Sequence, residues 1–181
     1  ALAGRIRSPA LASTELSLQT LLDEHDFTAA APNQKWLCAI TYIHTGQGWL
    51  YLAGVMDVYS RRIVGWSMDV TMPAGLTCDA LKMAIDRRRP GAGLLHHSDR
   101  GSQYACVKYQ ELLNEHTIAC SMSRTGNCYD NAMMESFWST LKREAIQDQR
   151  FPTIAAAKTV VFEYIEVFYN RKRRHSSLGY V

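Results

Sequence analysis

The sequence predicts an α/β domain built on a mixed β-sheet, and three observations lead there. Between positions 36 and 70, three runs rich in apolar, aromatic and β-branched residues are separated by short polar turns. Such close spacing favours antiparallel hairpins and hence a three-stranded meander. Beyond position 73, strand-like and helix-like stretches alternate, the pattern of parallel strands added to a sheet. At 181 residues and 47% hydrophobic content, the chain can bury one well-packed core with a small helical appendage.

Residues 1–22, with scattered Ser, Ala and Leu and no firm periodicity, are read as an arm or linker. WLCAITYIH (36–44), WLYLAGVMDV (49–58) and IVGWSMDV (63–70) are the three strands, joined by the turns TGQG and YSRR. Pro73 opens a helix over 74–89, in which Leu76, Ala80, Met83 and Ala84 recur at helical spacing before basic residues and Pro90-Gly91 end it. LLHHS (94–98) is a brief strand, residues 102–116 a helix, and residues 117–122 another short strand. The turn-rich loop SRTGNCYDN leads to Asp130 or Asn131 as helix cap. The helix that follows, 132–146, carries an apolar stripe of Met134, Phe137 or Trp138, Leu141 and Ala145. A last helix is expected over 153–174, after Pro152.

The net charge is +3, and its distribution is uneven: from Ser136 onward there are eight Lys/Arg against four Asp/Glu. The densest cluster, RKRRH at 171–175, is either a solvated face or an attractor of polyanions such as nucleic acid. Five cysteines, an odd number with no C-x-x-C pair, indicate neither a disulfide framework nor a structural zinc site. No apolar run approaches the length of a membrane span and no signal-peptide core is present, so a soluble, cytoplasmic protein without membrane contact is expected.

Asp99 stands just past a short central strand, at the sheet edge where α/β ligand sites form. Gly101 behind it would let the backbone turn away. Glu135 lies off the apolar stripe of its helix, on a face shared with Ser139 and Lys142. Two carboxylates from separate elements could converge on Mg²⁺ or Mn²⁺, hard ions that prefer oxygen ligands and keep waters for a substrate phosphate. A two-ion site for in-line phosphoryl transfer normally needs a third carboxylate. Arg100, Lys142 and Arg143 could grip phosphates, or could be ordinary surface pairs. His96 and His97, adjacent on a strand, face opposite ways, so at most one faces a given site. Asp57 is read as a turn anchor through Ser60 or Arg61 in preference to a metal ligand. Ser121, Ser123 and Cys128 lack a triad partner, which leaves nucleophilic catalysis without support.

Several segments now combine: DFTAAAPNQKW, ITYI, GWLYLAGVMDVYSRRIVGW, HHSDRGSQY, MSRTGNCYDNAMMESFWSTLKRE and FEYIEVFYNRKRRHSSLGY. Together they resemble the catalytic subunit of bacterial insertion-sequence transposases with a retroviral-integrase-like DDE core, from about Asp26 to the C-terminus. The second and third acids of that family fall on Asp99 and Glu135, and the thirty-five residues between them match the family interval. The resemblance implies a ribonuclease-H-like fold, a five-stranded mixed sheet flanked by helices. It implies a core over 23–150, with 151–181 a C-terminal helix and basic signature of the same domain. It also implies Mg²⁺- or Mn²⁺-dependent cleavage at the ends of a mobile element and joining of the freed 3′ hydroxyl to target DNA. Lys142 would approach the element DNA, and Arg171, Arg173, Arg174 and His175 are candidate contacts.

One departure stands out. Where the family has W-x-x-D-I-T-Y, this chain reads WLCAITY, so Ala39 occupies the position of the first acid. The expectation is a transposase core, a DNA-strand transferase by descent, that binds double-stranded DNA at element ends and target but is catalytically impaired. A non-catalytic DNA-binding relic is the alternative. Without a convincing helix-turn-helix, recognition of element ends is assigned to a partner segment or subunit, with a homo-oligomer on the DNA and nucleoid association.

Overall fold

Strand β1 (Lys35–Thr45) sends its side chains alternately into two buried faces. Trp36 and Cys38 go one way, Leu37, Ala39 and Ile43 the other, and all five are at most 5% exposed. A strand that is apolar on both faces must be covered on both, and the rest of the chain supplies that cover. The computed structural model describes residues 28–99, 101–122 and 131–171.

Antiparallel β2 (Gly48–Asp57) pairs with β1 so that Gly54 lies opposite Ala39, and β3 (Ile63–Asp69) pairs antiparallel with β2. On the other edge of β1, β4 (Leu95–Ser98) runs parallel to it and β5 (Ala119–Met122) parallel to β4. The five strands stand in the order β3-β2-β1-β4-β5. The predicted meander with two parallel additions is therefore present, as is the mixed five-stranded sheet.

Helices α1 (Ala74–Arg88), α2 (Ser102–Ala105) and α3 (Val107–Glu115) cover the Trp36–Cys38 face, burying Leu76, Leu81, Tyr104, Tyr109 and Leu113. The opposite face receives α4 (Ala132–Leu141) and α5 (Ile154–Glu163). Both continue with wider π-helical turns, over Lys142–Ile146 and Tyr164–Tyr169. The predicted stripe of α4 is buried throughout, with Phe137 and Trp138 both inside.

Long-range polar ties fasten the last helix to the sheet. Asn170 accepts from the Ile63 amide and donates to the Ile63 carbonyl, both at 2.9 Å, which pins the end of the chain's last described helix to the start of β3. Glu166 accepts from the Trp66 indole and from Arg87, each at 2.7 Å, and so links β3, α1 and α5.

Two local expectations need correction. The single helix expected over 102–116 is broken at Cys106, whose backbone is extended (φ −70°, ψ 148°). Tyr104 and Tyr109 both turn inward onto His96, which a continuous helix would not allow, and Gln110 satisfies the freed end by donating to the Tyr104 carbonyl at 2.8 Å. Asn131 occupies the cap position of α4, but its amide reaches across to the Cys38 carbonyl at 3.4 Å instead of capping the helix. Asp130, the other proposed cap, lies outside the described residues.

Gly54 is the seat of α4. A Cβ there would come within 2.8 Å of the Trp138 ring and 3.3 Å of the Met134 methyl, so only the absence of a side chain lets the helix descend onto the sheet. Gly54→Val is expected to destabilise the fold by about 1–3 kcal/mol through overpacking, read as a lower midpoint in urea denaturation.

Candidate active site

The ladder between β1 and β4 ends at the pair Cys38 and Ser98. The next residues, Ala39 and Asp99, follow this last pair side by side: Ala39 faces α4, and Asp99, beyond the end of β4, stands at the sheet edge where its charge reaches Cys38 and Tyr104. Ala39 is 5% exposed and packed into the core beneath α4, whereas Asp99, released past the end of β4, is exposed. The first turn of α4 lies over this edge: Met134 packs toward Gly54, the partner of Ala39, and Asn131 reaches Cys38. Glu135, next in that turn, is exposed, as are Ser139 and Lys142 one and two turns on. Ala39 and Asp99 are thus neighbours at the β1–β4 edge, and Glu135 stands on the helix that covers Ala39.

The Asp99 carboxylate is held by its own loop. Its Oδ1 accepts from the Gly101 amide at 2.8 Å, and a Cβ on Gly101 would stand 2.8 Å from that oxygen and 2.9 Å from Gln103 Oε1. A side chain there would displace the tips of Asp99 and Gln103 and so disturb the hold on the carboxylate more than the fold. The glycine's backbone, at φ −58°, is one that any residue adopts, so the expected special turn is not the reason for it. Arg100, expected to meet a phosphate, lies outside the described residues.

Behind the acids is a buried polar layer. His96, fully buried on the face opposite Ala39, shares a 2.6 Å hydrogen bond between Nε2 and the Tyr109 hydroxyl, and its ring meets Tyr104 and Tyr109. Burial, reinforced by neighbouring His97, drives the imidazole pKa down to about 3, so it is neutral at physiological pH. Burial likewise pushes the Cys38 thiol far up, against a hydrogen bond with Tyr109 that lowers it. The same desolvation raises the Tyr104 and Tyr109 hydroxyls well above their ordinary range. None of these groups is an ionised nucleophile. His97, on the face of its ladder partner Leu37, is half-buried, with Nδ1 3.1 Å from the Ser121 hydroxyl of β5.

The remaining candidates separate cleanly. Asp57 is fully buried and accepts from the Asn33 amide (2.9 Å), the Ser60 amide (3.0 Å) and the Ser60 hydroxyl (2.6 Å), which makes it the turn anchor expected. Lys142 lies over the Tyr42 ring, 5.2 Å from its centroid, and Arg143 pairs with Glu144 at 3.8 Å while two-thirds exposed. Such an exposed pair is weak and leaves the guanidinium open to other anions. Arg171 is exposed at the end of the described chain, and Ser123, Cys128, Arg173, Arg174 and His175 lie outside it. Among the described residues no three His, Cys, Asp or Glu side chains converge as a metal site.

A five-stranded mixed sheet of order β3-β2-β1-β4-β5 with helices on both faces defines the ribonuclease-H-like class that includes retroviral integrase catalytic cores. Among solved structures, the simian T-cell lymphotropic virus intasome in complex with PP2A regulatory subunit B56 gamma superposes with a TM-score of 0.65 at 14% identity, over 90% of this chain and 66% of that one. The HTLV-2 integrase catalytic core domain in complex with magnesium, in its dimeric form, superposes with a TM-score of 0.55 at 15% identity, over 80% and 95%. Two sequence models, each described as an integrase core domain, match residues 29–128 and 116–181, and the chain belongs to that family.

Its curated relatives come from insertion elements. It is 54% identical over 153 residues to the "Insertion element IS600 uncharacterized 31 kDa protein" of Shigella sonnei, covering 84% of this chain and 56% of that protein. It is 50% identical over 156 residues to "Transposase InsF for insertion sequence IS3A" of Escherichia coli (strain K12), covering 86% and 54%. The chain thus spans about half the length of the curated relatives it matches. No helix among the described residues is long and apolar enough to cross a membrane.

His96 gives the site a measurable pH signature. Its folded pKa is depressed, so the unfolded chain takes up a proton below about 6.5 that the folded chain refuses until about pH 3. Its neutral form supports the fold fully above pH 6.5, and that support is lost as pH falls through this window, at about 1.4 kcal/mol per pH unit. Urea denaturation between pH 7.5 and 4.5 is expected to show a flatter dependence for His96→Gln than for the parent chain.

Proposed function

We propose that the chain is the catalytic core of an insertion-sequence transposase in which Ala39 stands where the first metal-binding acid belongs, so that it binds DNA but cleaves and joins strands poorly. The observation that carries the reading is the parallel register of β1 and β4, with Ala39 and Asp99 the next residues past its last pair. That is where two acids from neighbouring strands, with Glu135 from the helix above, would hold a pair of divalent metal ions.

As it stands, the donor set does not fit a two-ion centre. The methyl of Ala39 is buried among Leu37, Met134 and Trp138 and offers no oxygen ligand. Asp99 and Glu135 together are two carboxylates, enough for weak binding of a single Mg²⁺ or Mn²⁺ and short of the set that activates one oxygen while steadying another. The HTLV-2 core was solved with magnesium, which supports these ions as the relevant class. The chemistry assigned to the intact family site is transfer of a 3′ hydroxyl of the mobile element to a phosphate of target DNA.

The partners follow from the same reading. Double-stranded DNA is the substrate, Arg100, Lys142, Arg143, Arg171, Arg173, Arg174 and His175 are the cations assigned to its phosphates, and a helix-turn-helix segment or subunit finds the element ends. Joining two ends calls for a homo-oligomer on DNA, and the simian viral relative was solved as an intasome. Residues 23–150 and 151–181 form one functional unit in this reading, with the arm at 1–22 outside it and the protein nucleoid-associated in the bacterial cytoplasm. A second reading, a relic that holds DNA without chemistry, is favoured by the apolar packing of Ala39.

Ala39→Asp is expected to raise strand transfer with Mg²⁺ or Mn²⁺ from near background to robust turnover, and adding Glu135→Gln to that variant should abolish it. Equal, robust activity in the parent chain and Ala39→Asp would sink the proposal. A readout independent of activity comes from thermal denaturation. Burying a carboxylate at position 39 without a counter-charge should lower the melting temperature of Ala39→Asp in EDTA, and Mg²⁺ should restore more of the loss than it adds to the parent chain.

A further inference from the structure

β4 is only four residues long and pairs with β1 no further than Cys38, so the edge of β1 from Ala39 onward has no strand beside it among the described residues. Against this open stretch, the tip of the β1–β2 hairpin and the C-terminal part of α4 enclose a recess of about 460 Å³. Its walls include Tyr42, His44, Trp49, Ser139, Lys142 and Arg143. Clefts of this size hold small organic ligands.

The composition of the recess is unusual for solvated surface. Tyr42 is 55% exposed and Trp49 46%, and they meet edge to face with ring centroids 5.1 Å apart. His44 packs against the same indole at 5.0 Å, so three aromatic rings form a wall that the core does not use. Lys142 sits over Tyr42 and Arg143 opens beside it. Exposed aromatic surface interleaved with cations is the chemistry that holds unpaired nucleotides: bases stack on the rings and phosphates meet the charges. A protein partner would fit the aromatic wall, but two cations at its rim favour a polyanion.

We propose that this recess receives an unpaired base of the DNA end, a reading that rests on the proposed function above. Glu135, Ser139 and Lys142 run along one exposed face of α4, and seven residues of helix span about 10 Å. At about 3.4 Å per nucleotide of a strand, the base in the recess lies about three nucleotides from the phosphate beside the acids. Trp49 supplies the stacking surface, Tyr42 and His44 hold the indole in place, and Lys142 and Arg143 take the flanking phosphates.

The test uses the full chain and two probes, a short blunt duplex and the same duplex with an unpaired thymidine tail. Tail binding should quench tryptophan emission, because Trp36 and Trp138 are at most 7% exposed and Trp66 is only partly so, which leaves Trp49 as the open indole of the four. The tailed duplex is expected to bind about tenfold tighter than the blunt one. Trp49→Ala should bring it down to the blunt-duplex level, and Trp49→Phe should keep most of the preference. Equal affinity for the two probes, or a preference that survives Trp49→Ala in a chain that still melts cooperatively, would overturn the inference while leaving DNA binding intact. Loss of self-association in Trp49→Ala with no change toward the tail would reassign the face to a second copy of the chain and overturn it too. Absence of binding to either probe would overturn this inference and the proposed function together.

Discussion

The parallel pairing of β1 with β4 is the constraint on which the rest of the site depends. Because the ladder ends at Cys38 and Ser98, the two strands deliver positions 39 and 99 side by side, and because β4 stops there, Asp99 leaves the sheet while Ala39 stays in it. The pleat does the rest: Trp36, Cys38, His96 and Ser98 turn to one face, Leu37, Ala39 and His97 to the other. A one-residue slip would exchange the two sets, putting His96 under α4 and His97 beneath Tyr104 and Tyr109. Burial on both faces of β1 makes such a slip expensive, so the core that stabilises the sheet also fixes which residues reach the site.

That division explains why the polar residues behind the acids are inert. His96 is held neutral by burial, and the Cys38 thiol and the two tyrosine hydroxyls are held protonated by the same desolvation. A neutral layer costs less to bury than a charged one and adds no competing nucleophile or metal ligand behind the sheet. The hydrogen bond from His96 to Tyr109 ties β4 to α3 at the level of the β1 pairing. The exposed acids nearest this edge, Asp99 and Glu135, meet solvent instead.

Much of this was legible in the sequence because each signal was local. The meander carried its own strand composition and turns, the stripe on α4 its own period, and Asp99 and Glu135 their own positions at the ends of elements. What was hidden came from residues distant in the chain. Asn170 clamps Ile63 across 107 residues and Glu166 receives Trp66 across 100, and nothing near any of them announces the partner. The break at Cys106 has no proline or glycine behind it; two tyrosines turning onto His96 impose it. The aromatic recess was read as ordinary strand, since Tyr42 and Trp49 suit a buried sheet, and only the shortness of β4 leaves them open.

Ala39 sits where these packing constraints meet. The site is assembled with the same care around this position as around its neighbours: Gly54 is kept bare opposite it so that α4 can descend, Asn131 crosses to the adjacent carbonyl, and Met134 closes over it. An alanine in that setting is well packed and carries no desolvation penalty, whereas a carboxylate there would be stable only with cations beside it. The geometry thus suits a small apolar side chain, and the packing of α4 on the sheet at this point depends on it.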